Sequence, residues 1–289
     1  MDYGAVMARP IVIVYGNCQA GLFAESFHNF PSSAAKWDVH YVMSFIHPSE
    51  PQHQIARADL AECALVLEQL DNANPLPDWV RDDLPADVPI IRFPPIDFNL
   101  LWPFNFVDPR NVSEPPDYPF GRFPYGDRVV VELMREGLSD DALWDAYQER
   151  SLTRLPDLGR LRGLEAQRLV ARDAAVDIMV SDLVLANHRE EALFWTINHP
   201  TGWLLGRVLA RLLGAAQERL GAELDDETEE QALRLFASWE PFGHQHQPIH
   251  PEVARRLDLK WWTPDRTYQY FDGTKLTFEE FMIRYIRFS

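Results

Sequence analysis

Four short runs of apolar, largely β-branched residues punctuate the first hundred positions: 11–15 (IVIVY), 39–46 (VHYVMSFI), 63–67 (CALVL) and 88–93 (VPIIRF). Their length and residue types predict strands. Between them, residues 19–30, 50–61 and 76–84 predict connecting helices. The runs are continuous rather than alternating, so each strand is expected to be buried on both faces. Strands that alternate with helices predict a parallel sheet with helices covering both sides. Ligands of such sheets gather beyond the carboxyl ends of the strands. The first candidates are therefore Gly16, Asn17, Cys18 and Gln19 after the first run, His47 after the second, Glu68 and Gln69 after the third, and Arg92 in the fourth.

The pattern changes twice further on. Residues 94–125 hold eight prolines and eight aromatics with little periodicity. This stretch is too apolar for a solvated linker and reads as a rigid loop wrapped over the core, or as one wall of a cleft with Arg110, Arg122 and Arg128 facing anions. From 139 to about 222 the pattern is helical. Ser139 with early acids marks one start, leucines at three-to-four spacing follow Pro156, and a long amphipathic run follows Pro200. The segment 223–230 (ELDDETEE) reads as a solvated loop or helix start. The expected organisation is an α/β core over 1–130 and a mainly helical part over 131–289 packed on it as one compact unit.

Composition narrows the function. The net charge of −17 and a pI of about 4.9 argue against a nucleic-acid binder, which needs a basic face for the phosphate backbone. A small anionic ligand is compatible, because local arginines and helix N-termini bind phosphate within an acidic protein. Only Lys36, Lys260 and Lys275 are lysines, so cationic contacts fall mostly to planar guanidinium forks. The chain shows no signal-peptide pattern and no apolar stretch of membrane-spanning length. Two cysteines, Cys18 and Cys63, are too few for a disulfide framework. A reducing cytoplasm is the expected location, with Cys18 a free thiol.

Cys18 stands where the first strand gives way to a helix. Peptide dipoles and unpaired amides at a helix start favour a thiolate, and Gly16 supplies the backbone freedom of a sharp turn. Asn17 and Gln19 add carboxamide donors beside the thiol. Buried packing is the competing reading for Cys18 and the stronger one for Cys63. His199, in NHPTGW before the long helix, is the leading base, set against a histidine that merely closes a turn. His244, His246 and His250 (GHQHQPIH) lack the companions and spacing of a zinc motif, so no metal is expected. Gln69 is a further candidate oxyanion donor, and Arg92 a phosphate ligand.

The strand leading into YGNCQ at 15–19, LEQL after the third strand, NHP at 198–200 and PIHP at 248–251 together resemble the WcbI-type polysaccharide biosynthesis family. The resemblance implies a coenzyme A-binding acetyltransferase of capsular polysaccharide assembly. It also implies a three-layer α/β core of SGNH (GDSL-hydrolase)- or flavodoxin-like outline, followed by a mostly helical C-terminal part. By the same resemblance Cys18 occupies the cysteine position, with Asn17, Gln19 and Gln69 around it, and His199 is its partner. Coenzyme A requires positive charge for its phosphates, for which Arg92, Arg122 and Arg128 are the candidates, and Gly16 is a further candidate cofactor contact. The expected reaction passes acetyl from acetyl coenzyme A to a sugar hydroxyl, by a Cys18 acyl-enzyme or by direct transfer. The alternatives are a thiol-dependent ester or thioester hydrolase and a non-catalytic coenzyme A or nucleotide-binding module. The partners expected are thus a small acyl donor and a sugar or polysaccharide acceptor.

Overall fold

In the computed structural model, residues 9–45, 55–221 and 228–288 are described. The four apolar runs form one parallel sheet: β1 (Ile11–Gly16), β2 (Asp38–Met43), β3 (Cys63–Gln69) and β4 (Ile90–Phe93), in the order β2-β1-β3-β4. Tyr15 lies opposite Val42 on one side and Glu68 on the other, and Glu68 lies opposite Arg92. Alternation along these strands separates two buried faces. Val12, Val14, Leu65, Leu67, Ile91 and Phe93 face the larger core, where Phe23 and Phe27 of α1 (Cys18–Asn29) and leucines of the helix Gly202–Leu220 meet them. Ile13, Tyr15, Val42 and Val66 face a smaller cluster with Leu60, Leu76 and Val80 from short connecting segments. Truncating fully buried Phe23 or Phe27 to alanine is worth about 3–5 kcal/mol.

The connecting helices are shorter than the sequence predicts. Of 50–61 only Arg57–Ala61 is helical among the described residues, and 76–84 shrinks to Asp78–Arg81, both ends being rich in turn-forming residues. His47, His53 and residue 46 of the second run lie outside the described residues. Helices Asp140–Arg154 and Leu158–Asp173 form as the sequence predicts, the second capped by Asp157 accepting from the Arg160 amide. The apolar run before Pro200 is a strand rather than helix. Phe194–Thr196 pairs antiparallel with His199–Pro200 across a turn at Ile197 and Asn198, and the β-branched Thr196 and aromatic Phe194 and Trp195 favour this extended form. Pairing so short leaves no periodic trace in sequence.

Residues 94–125 join two cores. Phe98, Leu100, Leu101 and Trp102 are buried in the main core, whereas Phe104 and Phe123 enter a second, aromatic cluster. That cluster is completed by Leu143 and Tyr147 from Asp140–Arg154, by Tyr268 and Tyr270, and by Phe281 and Tyr285 of the helix Phe278–Ile286. The main core itself extends from Val12 to Leu259. Among the described residues no helix is long and apolar enough to cross a membrane.

Candidate active site

Gly16, the last residue of β1, has φ +155°, a conformation that suits glycine. A Cβ there would stand 2.6 Å from the Gln69 Cβ and 2.7 Å from the Ala20 Cβ. The absence of a side chain lets β3 approach the turn, and the Asn17 amide donates to Gln69 Oε1 at 2.9 Å. Asn17 then caps α1, its Oδ1 accepting from the Gln19 amide at 2.9 Å. Cys18 is the first helical residue and is half-buried against the main core. It stands where helix dipole and first-turn amides favour negative charge. Tyr41 donates to the Asn17 carbonyl at 2.9 Å, so β2 also braces the turn.

Gln19, only 1% exposed, ties this turn to distant chain. Its Nε2 donates to Ile96 O at 2.8 Å and to Asn198 O at 2.7 Å, while its Oε1 accepts from the Ile96 amide at 2.9 Å and Gln69 Nε2 at 3.0 Å. The carboxamide is saturated. This corrects the expectation that Gln19 offers a carboxamide donor beside the thiol: both its hydrogens are committed to backbone carbonyls. Gln69, 2% exposed, is likewise part of the brace, with its oxygen engaged by Asn17 and one N–H by Gln19. Asn17 keeps its Nδ2 on the half-buried side chain beside Cys18.

The Gln19–Asn198 bond brings the 194–200 hairpin beside the start of α1. His199 stacks on Phe242 with centroids 4.4 Å apart and an interplanar angle of 7°. Burial lowers its pKa to about 3, with His244 pushing the same way, so the imidazole is neutral near pH 7. Tyr125 joins the two sides. Its hydroxyl donates to Asn198 Oδ1 at 2.8 Å and lies 3.4 Å from His199 Nδ1. Burial raises the Tyr125 pKa, and Cys18 is near enough to add to the rise. Thr196, wholly buried, also donates to Asn198 Oδ1 at 3.2 Å. A thiol at a helix start, a neutral imidazole and a protonated phenol therefore share one locality. This set can do nucleophilic and acid–base chemistry.

Sequence reasoning passed over Tyr125, Thr196 and Asn198. Asn198 was visible as the neighbour of His199, but nothing distinguished Tyr125 from the seven other aromatics of its loop.

The three candidate arginines have separate surroundings. Arg92 points to the β1 face opposite α1, as its register partners Glu68 and Tyr15 do, and its Nε donates to the buried Glu68 at 3.0 Å. Arg122 forms a two-pronged pair with Glu114 and lines a surface groove with Arg284 and Arg287. Arg128 lies over the Phe106 ring at 5.2 Å.

The three C-terminal histidines are similarly dispersed. His250 caps the helix Pro251–Leu257 and meets Ser151 Oγ at 3.1 Å, His246 stacks on Trp195, and His244 lies beside Phe271. Among the described residues no group of three His, Cys, Asp or Glu is placed to hold a metal ion. Cys63, buried in β3, has its thiol pKa raised by burial.

The sequence profile described as polysaccharide biosynthesis enzyme WcbI matches residues 11–223. No curated protein sequence matches the chain. A solved structure of WcbI, a polysaccharide biosynthesis enzyme, superposes with a TM-score of 0.70 at 20% identity, covering 96% of this chain and 89% of the other. That structure is described as the native protein without a disulfide bond between coenzyme A and one of its cysteines. The likeness establishes the shared fold, a parallel α/β core with helices.

Proposed function

Because the chain belongs to the family of WcbI polysaccharide biosynthesis enzymes, we propose that it is an acyltransferase carrying an acetyl group from acetyl coenzyme A to a sugar hydroxyl in capsular or surface polysaccharide assembly. The observation that carries this reading is the Gln19–Asn198 bond, which holds the Cys18 turn against the hairpin bearing His199. Acetyl coenzyme A, when bound, supplies the acyl group as a thioester. The description of the similar structure in terms of a coenzyme A–cysteine disulfide supports a donor sulfur that approaches Cys18.

In this reading the Cys18 thiolate adds to the thioester carbonyl, the coenzyme thiolate leaves, and the acyl group remains on Sγ. Asn17 Nδ2 and first-turn amides of α1 face the oxyanion. Neutral His199 then takes the proton of the acceptor hydroxyl as its oxygen attacks the acyl carbon, and the Cys18 thiolate departs. Tyr125, held protonated by burial, orients the imidazole.

The test is incubation with acetyl coenzyme A followed by peptide mass spectrometry and a transfer assay on candidate sugars. An acetyl adduct on Cys18 and loss of transfer in Cys18→Ala are expected. Full transfer in Cys18→Ala would overturn the acyl-enzyme, and turnover with water alone at an undiminished rate would make the protein a hydrolase.

A further inference from the structure

His199 has two ring nitrogens, and the hydrogen bond made by one decides which of them can act as a base. The stack on Phe242 fixes the plane of the ring, but a ring face is indifferent to where the proton sits. That choice falls to the polar groups at the ring edge. The Tyr125 hydroxyl lies 3.4 Å from Nδ1, with the two rings nearly perpendicular at 82°.

The phenol has a single proton to give and two neighbours able to take it, Asn198 Oδ1 at 2.8 Å and His199 Nδ1 at 3.4 Å. A carboxamide oxygen only accepts, so the shorter contact is a hydrogen bond only when the phenol proton points to Asn198. Thr196, wholly buried, donates to the same Oδ1 at 3.2 Å, which occupies both lone pairs of the amide oxygen. The phenol oxygen then presents a lone pair to Nδ1, and Nδ1 must carry the imidazole proton to meet it. Nε2 keeps the free lone pair. It makes no hydrogen bond among the described residues, and unlike the enclosed Nε2 of His188 it is open to solvent.

The residue that starts this relay is held from behind. The Asn198 carbonyl accepts from the buried Gln19 Nε2 at 2.7 Å, and the neighbouring Ile197 amide donates to Gln247 Oε1 at 3.2 Å. The paired strands Phe194–Thr196 and His199–Pro200 flank the turn on both sides. An amide on so constrained a backbone can select one direction for the phenol proton.

We propose that Asn198 is a positioning residue: by taking the Tyr125 proton it fixes His199 as the Nδ1–H tautomer, so that Nε2 is the atom that removes the proton of the acceptor hydroxyl. The proposal deepens the acyltransferase reading and rests on it for the identity of that hydroxyl.

The experiment is long-range proton–nitrogen correlation NMR at pH 7 on the full chain carrying nitrogen-labelled histidine, the His199 signals being those missing from His199→Gln. Nitrogen chemical shifts separate a protonated from an unprotonated ring nitrogen. Wild type is expected to show His199 protonated at Nδ1 and bare at Nε2. Asn198→Asp keeps an acceptor for the phenol and is expected to keep this tautomer. Asn198→Leu removes the acceptor, so the phenol proton turns to Nδ1 and the imidazole proton is expected at Nε2. With the base blocked, kcat for acetyl transfer should fall on the order of 100-fold in Asn198→Leu, with little change in KM for acetyl coenzyme A, and Asn198→Asp should retain most of the rate.

A wild-type His199 protonated at Nε2 overturns the proposal, and that spectrum is decisive even if Asn198→Leu fails to fold. The same tautomer in wild type and Asn198→Leu also overturns it, as does an undiminished kcat in Asn198→Leu once its tautomer has shifted. If the tautomer shifts as expected but wild type transfers no acetyl group, the acyltransferase reading fails while the hold of Asn198 on His199 stands.

Discussion

Replacing Gln19 with leucine preserves side-chain reach and apolar bulk while deleting all four hydrogen bonds of the carboxamide. At a net value of about 1 kcal/mol each, the bonds alone are worth about 4 kcal/mol. The Ile96 amide and carbonyl, the Asn198 carbonyl and the Gln69 amide nitrogen would lose this partner, which adds to the cost. Burial of leucine and entry of water offset part of it. The expected loss is about 3–5 kcal/mol, a large share of the 5–15 kcal/mol typical of a folded domain. It should appear in urea unfolding as a lower midpoint with little change in slope.

The same substitution frees the hairpin from the α1 turn, so His199 loses its register with Cys18. A misplacement on the order of 1 Å is enough for a ~100-fold fall in transfer rate. Gln19→Glu sharpens the test: it retains the two accepted bonds but sets a carboxylate against two carbonyls, so it should be the weaker protein at pH 7. A leucine variant within ~1 kcal/mol of the parent, with an unchanged transfer rate and an unchanged rate of Cys18 alkylation, would refute the bracing argument.

Gly16→Ala should be severely destabilised, by about 3 kcal/mol or more, because it combines a conformation poorly suited to L residues with a Cβ contact of 2.6 Å; thermal melting measures it. Tyr125→Phe removes one hydroxyl and should cost about 1 kcal/mol in stability but on the order of tenfold in transfer rate, which separates a role at His199 from simple packing. Stability should fall between pH 7 and pH 5. His199, His246 and His250 have folded pKa values of about 3, 4 and 4, below the ordinary 6.5, so the unfolded chain binds more protons as pH drops through this window. Asp127 opposes them: burial raises its pKa to about 6, and the folded state gains its proton first. The three histidines and Asp127 together give a net loss of at most about 4 kcal/mol, readable from urea midpoints across that range. A flat profile would contradict the neutral state assigned to the three imidazoles.

The sheet was legible because parallel strands buried on both faces leave unbroken apolar runs, and β1 to β4 fall within a few residues of those runs. Cys18 was legible for a related reason: a glycine, a capping asparagine and a thiol stand together where one period ends and another begins. The rest of the site was not, because it depends on contacts between residues far apart in sequence. Gln19 reaches Ile96 and Asn198 across 77 and 179 positions, and no local pattern records such a bond. The two-residue pair at His199–Pro200 is too short to show a period, which is why the run before it read as helix. Arginine identity was equally uninformative: Arg92 and Arg122 already face carboxylates.

The aromatic cluster around Phe123 has a temporal consequence. Phe123 touches Tyr270, Phe281, Tyr285 and Phe288, and the Asp127 amide donates to the Tyr285 hydroxyl at 3.0 Å, so the segment presenting Tyr125 is clamped by chain made about 145 to 165 residues later. During synthesis the placement of the phenol waits for the helix 278–286 to leave the ribosome. A nascent chain halted before that point would carry Cys18 without the aromatic clamp that holds Tyr125 beside His199.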